Sequence, residues 1–191
     1  MKSLSYDLYI DTGGTFTDCI AVDSDGRSYR RKVLSNSTIR GNIKEWTDAS
    51  TIKIEEFWEL EKDILAGYQF KILQENHEDV FVRSYDVENC ILFLSAKLPT
   101  KLFNRNLSFE LFSNEEAPIL GARLITLTSL GEQLPALNIK LGSTKGTNAL
   151  LEKKGADIVL FVTKGFRDIL HIGTQQRPDI FALNIIKPSP F

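Results

Sequence analysis

The sequence has little cysteine, no long apolar run and no apolar segment among its first residues. Its two cysteines, Cys19 and Cys90, lie far apart and form neither a CxxC pair nor a Cys/His ligand spacing, which argues against a disulfide framework and a zinc site. No stretch approaches the roughly eighteen apolar residues that a bilayer-spanning helix needs. The N-terminal residues lack the apolar segment of a signal peptide. These absences predict a protein of the reducing cytoplasm without a membrane partner.

An excess of positive charge is also missing. The 23 Lys and Arg residues are balanced by 25 Asp and Glu residues, which gives a formal net charge of −2. Nucleic-acid-binding proteins usually carry a basic stripe that neutralises phosphates, so nucleic acid is not an expected partner. With 191 residues, of which 42% are hydrophobic, the chain can form one ordinary domain or a domain with a sizeable insertion.

The apolar segments that are present predict an α/β protein that opens with a β-meander. Three strand-like segments, at residues 6–11, 15–22 and 27–34, are separated by tight turns rich in Gly and Asp. Short apolar runs between polar breaks then continue to about Pro135, which is typical of small antiparallel strands. These runs are at residues 51–54, 68–73, 80–85 and 90–94. The pattern predicts a mostly β insertion over residues 38–135.

A helix is expected near the end of this insertion, with Asn114 as a candidate N-cap. The last third of the chain then alternates between strand-like and helical patterns, as parallel strands with crossovers require. Its predicted elements are a strand at 137–141, a helix at 145–154, a strand at 157–163 and a helical turn at 166–170. We therefore expect residues 1–37 and 136–191 to form one α/β domain that carries the insertion.

The segment from Asp11 to Asp18 reads DTGGTFTD and predicts an anion-binding loop. Two adjacent glycines allow a sharp turn in which consecutive backbone N–H groups point at phosphate oxygens, and threonine hydroxyls add donors. An aspartate beside bound phosphate becomes useful when it holds Mg²⁺. The alternative is a hairpin turn whose Asp and Thr side chains bond only to their own loop. No Gly-Lys-Ser/Thr follows, so the segment is not a Walker loop.

Two later strings also carry candidate binding residues. Residues 141–148 read LGSTKGTN and place hydroxyls at a predicted helix start, where free N–H groups suit a carboxylate, a phosphate or an oxyanion, although the same residues are ordinary N-caps. On local evidence Arg167 and Asp168 form a surface pair or a cap, whereas residues 176–178, which include Arg177, are candidate pocket residues on a predicted loop. Because ligands of α/β folds bind outside strand ends, we expect residues 142–148 to lie near residues 11–17.

Together, the three strings resemble the N-terminal region of the hydantoinase A and 5-oxoprolinase family in sequence, order and spacing. The first string is also similar to the first phosphate motif of actin-like ATPases and sugar kinases, which have a ribonuclease H-like fold. The strings are DTGGTFTD at 11–18, LGSTKGTNALLEKKGA at 141–156 and TKGFRDILHIGTQQRP at 163–178. The resemblance implies a ribonuclease H-like layer and an ATP-dependent enzyme that activates a lactam by phosphorylation and opens its ring.

The resemblance also implies roles for individual residues. The nucleotide-binding residues would be Asp11, Thr12, Gly13, Gly14, Thr15, Thr17 and Asp18, with Asp11 supporting Mg²⁺. The residues on the side of the cyclic amide would be Gly142, Ser143, Thr144, Thr147, Asn148, Arg167, Asp168 and Arg177. The resemblance singles out no catalytic residue. The cyclic amide is 5-oxoproline, a hydantoin or a related ring.

Actin-like ATPases close a nucleotide between two lobes, so the second phosphate motif and the adenosine site would lie later in the polypeptide. We therefore expect this chain to be the N-terminal part of a longer enzyme, inactive by itself, with a hydantoinase B-like partner region that is fused or separate. Three alternatives remain at this point: an acetone carboxylase-like subunit, an actin-like kinase, and a phosphate-binding module without turnover.

Overall fold

The computed structural model describes residues 5–61, 63–103, 105–174, 181 and 183. Within these residues the protein is mixed α/β, with a large sheet and few helices. Its strands are β1 (Ser5–Thr12), β2 (Phe16–Asp23), β3 (Ser28–Leu34), β4 (Thr38–Asp48), β5 (Thr51–Ile54), β6 (Gln69–Ile72), β7 (Val80–Asp86), β8 (Ile91–Leu94), β9 (Ser108–Phe112) and β10 (Ala136–Ser143). Its helices are α1 (Ala117–Thr126), α2 (Lys145–Leu151) and α3 (Ile169–Ile172), with a 3₁₀ turn at Thr100–Leu102. The chain divides into two compact units, Met1–Lys145 and Gly146–Phe191.

The predicted meander is confirmed. β1, β2 and β3 pair antiparallel in sequence order, and β10 joins the free side of β1 in parallel. The strand order in this part of the sheet is therefore β10-β1-β2-β3. A parallel neighbour requires a crossover connection, and α1 precedes β10 in that connection.

The predicted short strands of residues 38–135 are also confirmed, and they close into a barrel. β4 pairs with β5, and the ladder continues through β8, β7 and β6 to β9, which returns to the other part of β4. The long β4 makes this possible because residues 38–42 pair with β9 while residues 43–48 pair with β5. A closed ring leaves no exposed strand edge. Aromatic side chains such as Tyr68, Phe70 and Phe109 are buried in its core.

Helix α1 lies inside the segment predicted as an insertion, yet it packs on β1, β2 and β3. Its side chains Leu120 and Leu124 belong to the large barrel core, whereas Ala122 and Ile125 join a small core with residues of β1 and β2. Residues 1–145 accordingly form one compact unit. The assignment of residues 38–135 to an insertion stays a prediction.

The predicted start of α1 at Asn114 is wrong. Asn114 has a left-handed backbone with φ of 60°, and the helix begins at Ala117 with Glu116 in the N-cap position. Pro118 in the first turn favours this start, because N–H groups of the first turn have no acceptor within the helix and proline, which lacks an N–H, has a helical φ.

In the unit Gly146–Phe191, α2 and the turn that leads into α3 match the predicted helical segments, whereas residues 157–163 do not form the predicted strand. β-Branched and aromatic residues favour a strand, but a strand also needs a ladder partner. The side chains of this segment are instead exposed, Ile158 by 88% and Phe161 by 91%. None of the helices in the described part of the chain could span a membrane.

Candidate functional site

The candidate site is built on the turn between β1 and β2, which we call the hairpin tip (residues 13–16). Thr12 pairs with Thr17, and the Gly13 N–H donates to the Phe16 carbonyl at 2.9 Å, which closes the turn. A Cβ at position 13 would lie 3.1 Å from that carbonyl oxygen, so glycine suits the tight turn. Within the described chain, the N–H groups of Gly14 and Thr15 donate to no acceptor. The tip therefore offers two consecutive free donors.

Ser35, which directly follows β3, holds the hairpin tip in place through hydrogen bonds. The Ser35 N–H donates to the Thr15 carbonyl at 2.8 Å, and its hydroxyl donates to the Gly13 carbonyl at 2.9 Å. The same hydroxyl lies 3.1 Å from that of Thr17, which is fully buried. Sequence reasoning missed Ser35, because a serine in a polar turn 22 positions from Gly13 gives no local signal.

The end of β10 lies beside the hairpin tip. Gly142 is the register partner of Asp11, Ser143 is the partner of Thr12, and the Thr144 N–H donates to the Thr12 carbonyl at 3.1 Å. Paired strands lie about 4.8 Å apart. The predicted proximity of the first two strings is therefore confirmed for residues 142–144, which belong to the same compact unit as the hairpin.

Strand alternation divides the residues around the tip between two faces of the sheet. One face, the charged face, carries Asp11, Asp18 and Lys32 in one cross-strand row with Gly142. The opposite face, the helix face, carries Thr12, Thr17 and Ser143 in the neighbouring row, on the side where α1 packs against β1 and β2. The predicted nucleotide-binding residues thus point to two different environments.

On the charged face, the two aspartates differ in their surroundings. Asp18 accepts a hydrogen bond from Arg30 at 2.9 Å and pairs with Lys32 at 3.7 Å, and the Arg30 hydrogen bond is the main reason that the pKa of Asp18 lies below its ordinary value. Asp11 is exposed and has no ion-pair or hydrogen-bond partner in the described chain. Asp11 is thus the carboxylate that remains open to a cation.

On the helix face, a cavity of about 260 Å³ lies between the first turn of α1 and the ends of β1 and β10; we call it the hydroxyl cavity. Its lining residues are Thr12, Ser35, Ser37, Glu116, Ala117, Pro118, Leu141 and Ser143. Thr12 is only 4% exposed, and its hydroxyl finds no hydrogen-bond partner among the described residues. A buried polar group without a partner costs about 1–3 kcal/mol.

The remaining predicted site residues lie in the second unit. Thr147 and Asn148 are on the short helix α2, and Arg167 and Asp168 form an exposed ion pair with a distance of 3.4 Å. Arg177 lies outside the described residues. The roles assigned to these residues stay predictions.

Comparison with known proteins identifies the family. The profile of a family described as the hydantoinase/oxoprolinase N-terminal region matches residues 93–191, just over half of the chain. The chain belongs to this family. The match includes α1, β10 and the whole second unit but begins after the hairpin tip.

Several curated relatives that the chain matches are named 5-oxoprolinase. The chain is 45% identical over 92 residues to 5-oxoprolinase 1 of Arabidopsis thaliana, an alignment that covers 44% of the chain and 7% of the relative. It is 42% identical over 98 residues to the enzyme of Dictyostelium discoideum, with 47% and 8% covered. For Saccharomyces cerevisiae the identity is 49% over 53 residues, with 28% and 4% covered. The chain thus spans less than a tenth of these relatives, and no solved structure gives a significant match.

Proposed function

We propose that the chain is the N-terminal part of an ATP-dependent cyclic amidohydrolase of the 5-oxoprolinase or hydantoinase type. Family membership and the names of the relatives support a hydrolase that acts on a small cyclic amide. The observation that carries the nucleotide assignment is the hairpin tip, where two free backbone N–H groups lie next to the open carboxylate of Asp11. A cytoplasmic location and a hydantoinase B-like partner region belong to the same proposal.

The proposed fold is ribonuclease H-like. Three antiparallel strands followed by a helix and by a strand parallel to the first give the order β10-β1-β2-β3, which supports this assignment. In open α/β sheets, ligands bind outside the carboxyl ends of parallel strands. The hairpin tip and residues 142–144 lie at that end of β1 and β10.

The residues at the tip fit Mg-ATP. Mg²⁺ keeps several waters and binds one or two carboxylates together with phosphate oxygens, and Asp11 supplies one such carboxylate. No cluster of three or more acidic, His or Cys ligands exists among the described residues, so the metal would need the phosphates. Bound ATP would supply the phosphoryl group that makes the amide carbon a better electrophile. Gly14 and Thr15 would orient the phosphates through their N–H groups, and Ser35 would hold the tip in shape.

The decisive experiment measures phosphate release and ring opening by the complete polypeptide with ATP and with 5-oxoproline or hydantoin. Asp11→Ala should lower turnover by at least about a hundredfold, as loss of transition-state electrostatics typically does. Asp25→Ala, in the exposed turn at the other end of β2, is the matched control and should retain turnover. Near-normal turnover by Asp11→Ala would contradict the assigned role.

A second measurement concerns the chain of 191 residues by itself. A few exposed phosphate contacts leave affinity in about the millimolar range. Calorimetry with Mg-ATP should therefore show weak binding, and no tight Mg²⁺ binding without nucleotide. Micromolar binding of Mg-ATP would mean that the chain holds a complete nucleotide site.

A further inference from the structure

We propose that Lys32 of β3 is the cation that binds the phosphates of the nucleotide at the hairpin tip. The proposal rests on the proposed function and adds a residue that lies outside the three sequence strings. Lys32 shares the charged face with the open carboxylate of Asp11, at the end of the sheet where the free N–H groups of the tip lie. The three kinds of group would therefore act on one triphosphate.

A nucleotide site at the hairpin tip needs a cation from the protein. Asp11 is an anion and repels phosphate wherever Mg²⁺ does not lie between them. The N–H groups of Gly14 and Thr15 contribute only partial positive charges. In P-loop ATPases and protein kinases a lysine ammonium supplies the missing charge next to such a loop. The string at the tip, DTGGTFTD, contains neither Lys nor Arg, so the cation has to come from another segment.

Strand register places Lys32 nearer to the tip than the other cations of the charged face. Lys32 lies in the cross-strand row of Asp11. Within β1, β2, β3 and β10, the other cations of this face are Arg30 and Lys140, and both lie in the row of Ile20. That row is two residues farther from the tip, a distance of about 7 Å along a strand. Lys32 is thus the best-placed cation of these four strands.

The side chain of Lys32 extends toward the tip. Its Nζ lies over the ring of Phe16, 4.5 Å from the ring centroid, and Phe16 is the last residue of the tip. Phe16 pairs with Leu34, so the ammonium reaches from its own row into the next row on the side of the tip. An aromatic face attracts a cation through its quadrupole. The Phe16 ring therefore holds the ammonium beside the residues that carry the free N–H groups.

Lys32 keeps its hydrogen-bonding capacity for a ligand. The Asp18 Oδ2 lies 3.7 Å from Nζ, farther than the roughly 2.7–2.9 Å of a charge-assisted hydrogen bond. Arg30 donates to the other Asp18 oxygen at 2.9 Å and so offsets most of that negative charge. The Lys32 side chain is 52% exposed, and an ammonium has three donors. These donors are accessible to phosphate oxygens.

The test measures Kd for Mg-ATP by calorimetry, and KM for both substrates, with the complete polypeptide. Lys32→Met removes the charge and keeps an unbranched side chain. It should raise Kd and KM for Mg-ATP at least about tenfold, the effect of losing a hydrogen bond between charged groups, with KM for the cyclic amide within about twofold of wild type. Lys32→Arg keeps the charge and should retain most of the affinity. Lys71→Met, on the exposed side of β6, is the charge-matched control and should change no value.

Two further readouts distinguish a phosphate contact from a structural role. Salt screens contacts between charges, so Kd of the wild type should rise more steeply with ionic strength than Kd of Lys32→Met. Phe16→Leu removes the ring but keeps the carbonyl that accepts from the Gly13 N–H. It should raise Kd about two- to fivefold in the wild type and have no further effect in Lys32→Met. All binding is measured below the melting temperature of every variant.

The outcomes separate this inference from the proposed function. An unchanged Kd for Mg-ATP in Lys32→Met would overturn the inference, as would an equal loss in Lys71→Met or equal salt dependence of Lys32→Met and wild type. If the wild type binds Mg-ATP but opens no cyclic amide, the proposed function fails. Weaker binding by Lys32→Met would then still uphold the role of Lys32. Absence of Mg-ATP binding by the wild type would refute both.

Discussion

The barrel and the hairpin region distribute their polar and apolar groups in opposite ways. The barrel of β4–β9 closes on itself and surrounds a large core that includes Tyr68, Phe70 and Phe109. The hairpin region is an open sheet with β10 at its edge, and its separate core consists of Leu8, Ile10, Cys19, Ala21, Ala122 and Ile125. Because the barrel is closed, each of its strands pairs on both sides, and the backbone N–H and C=O groups of the strands have hydrogen-bond partners. The open sheet leaves the N–H groups of the hairpin tip and the carboxylate of Asp11 available to ligands.

Helix α1 connects the two regions, because Leu120 and Leu124 pack into the barrel core while Ala122 and Ile125 pack on the hairpin strands. Stability in this unit therefore derives largely from the barrel, and binding groups are concentrated at the hairpin. Variants that act on one region but not on the other test this division.

The largest expected effect is on the barrel core. Phe70 is 1% exposed and stacks on Phe109 with ring centroids 4.9 Å apart, so Phe70→Ala should lower the free energy of unfolding by about 3–5 kcal/mol. Phe81, which is 41% exposed on the neighbouring β7, is the control, and its change to Ala should cost much less. Urea unfolding of the chain measures both. Equal losses would refute the view that the barrel interior dominates stability.

The next effect concerns the contact between α1 and β2. A Cβ at Gly121 would lie 2.3 Å from the Cys19 Sγ, so Gly121→Ala should destabilise the chain by about 1–3 kcal/mol. Cys19→Ala in the same chain should recover part of this loss, because the nearest remaining contact is the Cys19 Cβ at 3.2 Å.

Gly146 on α2 provides the control for this prediction. A Cβ at that position meets no atom within 4 Å, so Gly146→Ala should be neutral or stabilising, as alanine is in helices. Thermal unfolding measures the melting temperatures of the Gly121→Ala and Gly146→Ala variants. Equal changes in melting temperature would contradict the packing argument.

A smaller effect is expected from Ser35, which should position the hairpin tip without contacting either substrate. Ser35→Ala removes the hydrogen bond to the Gly13 carbonyl and the contact with Thr17, and it should raise KM for ATP about tenfold. Ser35→Thr keeps a hydroxyl and should restore most of the affinity. Steady-state kinetics of the complete polypeptide measures KM for ATP in both variants. An unchanged KM for ATP in Ser35→Ala would refute the positioning role of Ser35.

The smallest expected effect is the pH dependence of the stability that Asp23 contributes in the turn between β2 and β3. The Asp23 carboxylate accepts hydrogen bonds from the Arg27 N–H, the Tyr29 hydroxyl and the Asp25 N–H, and the Arg27 bond is the main cause of its lowered pKa. A pKa lowered by folding stabilises the protein above the unfolded value of about 4, and this contribution is lost as the pH falls through the folded pKa.

Asp23→Asn should therefore be less stable than wild type at pH 7, and the difference should shrink below about pH 4. Unfolding by urea across this range, with Asp25→Asn as the control, tests the prediction. A difference that stays constant with pH would show that the carboxylate charge is not the stabilising feature.

Sequence reasoning was most accurate where the information is local. The meander, the short strands at 51–54, 80–85 and 90–94 and the helix after Thr144 follow from alternation and from glycine turns, and each is confirmed. Residues 157–163 show the limit of this reasoning, because their composition favours a strand but pairing depends on a partner elsewhere.

The sequence by itself determined the family strings, the glycine turn at the hairpin tip and the order of most elements, since each depends on residues close together in the chain. Only the tertiary structure decided that Arg40 of β4 and Glu110 of β9, 70 positions apart, join to close the barrel, and that Ser35 fastens the tip. It also decided which face of the sheet α1 covers, and so placed Thr12 in the hydroxyl cavity and Asp11 on the charged face. These contacts link distant segments, and no local pattern specifies which distant segment will pack where.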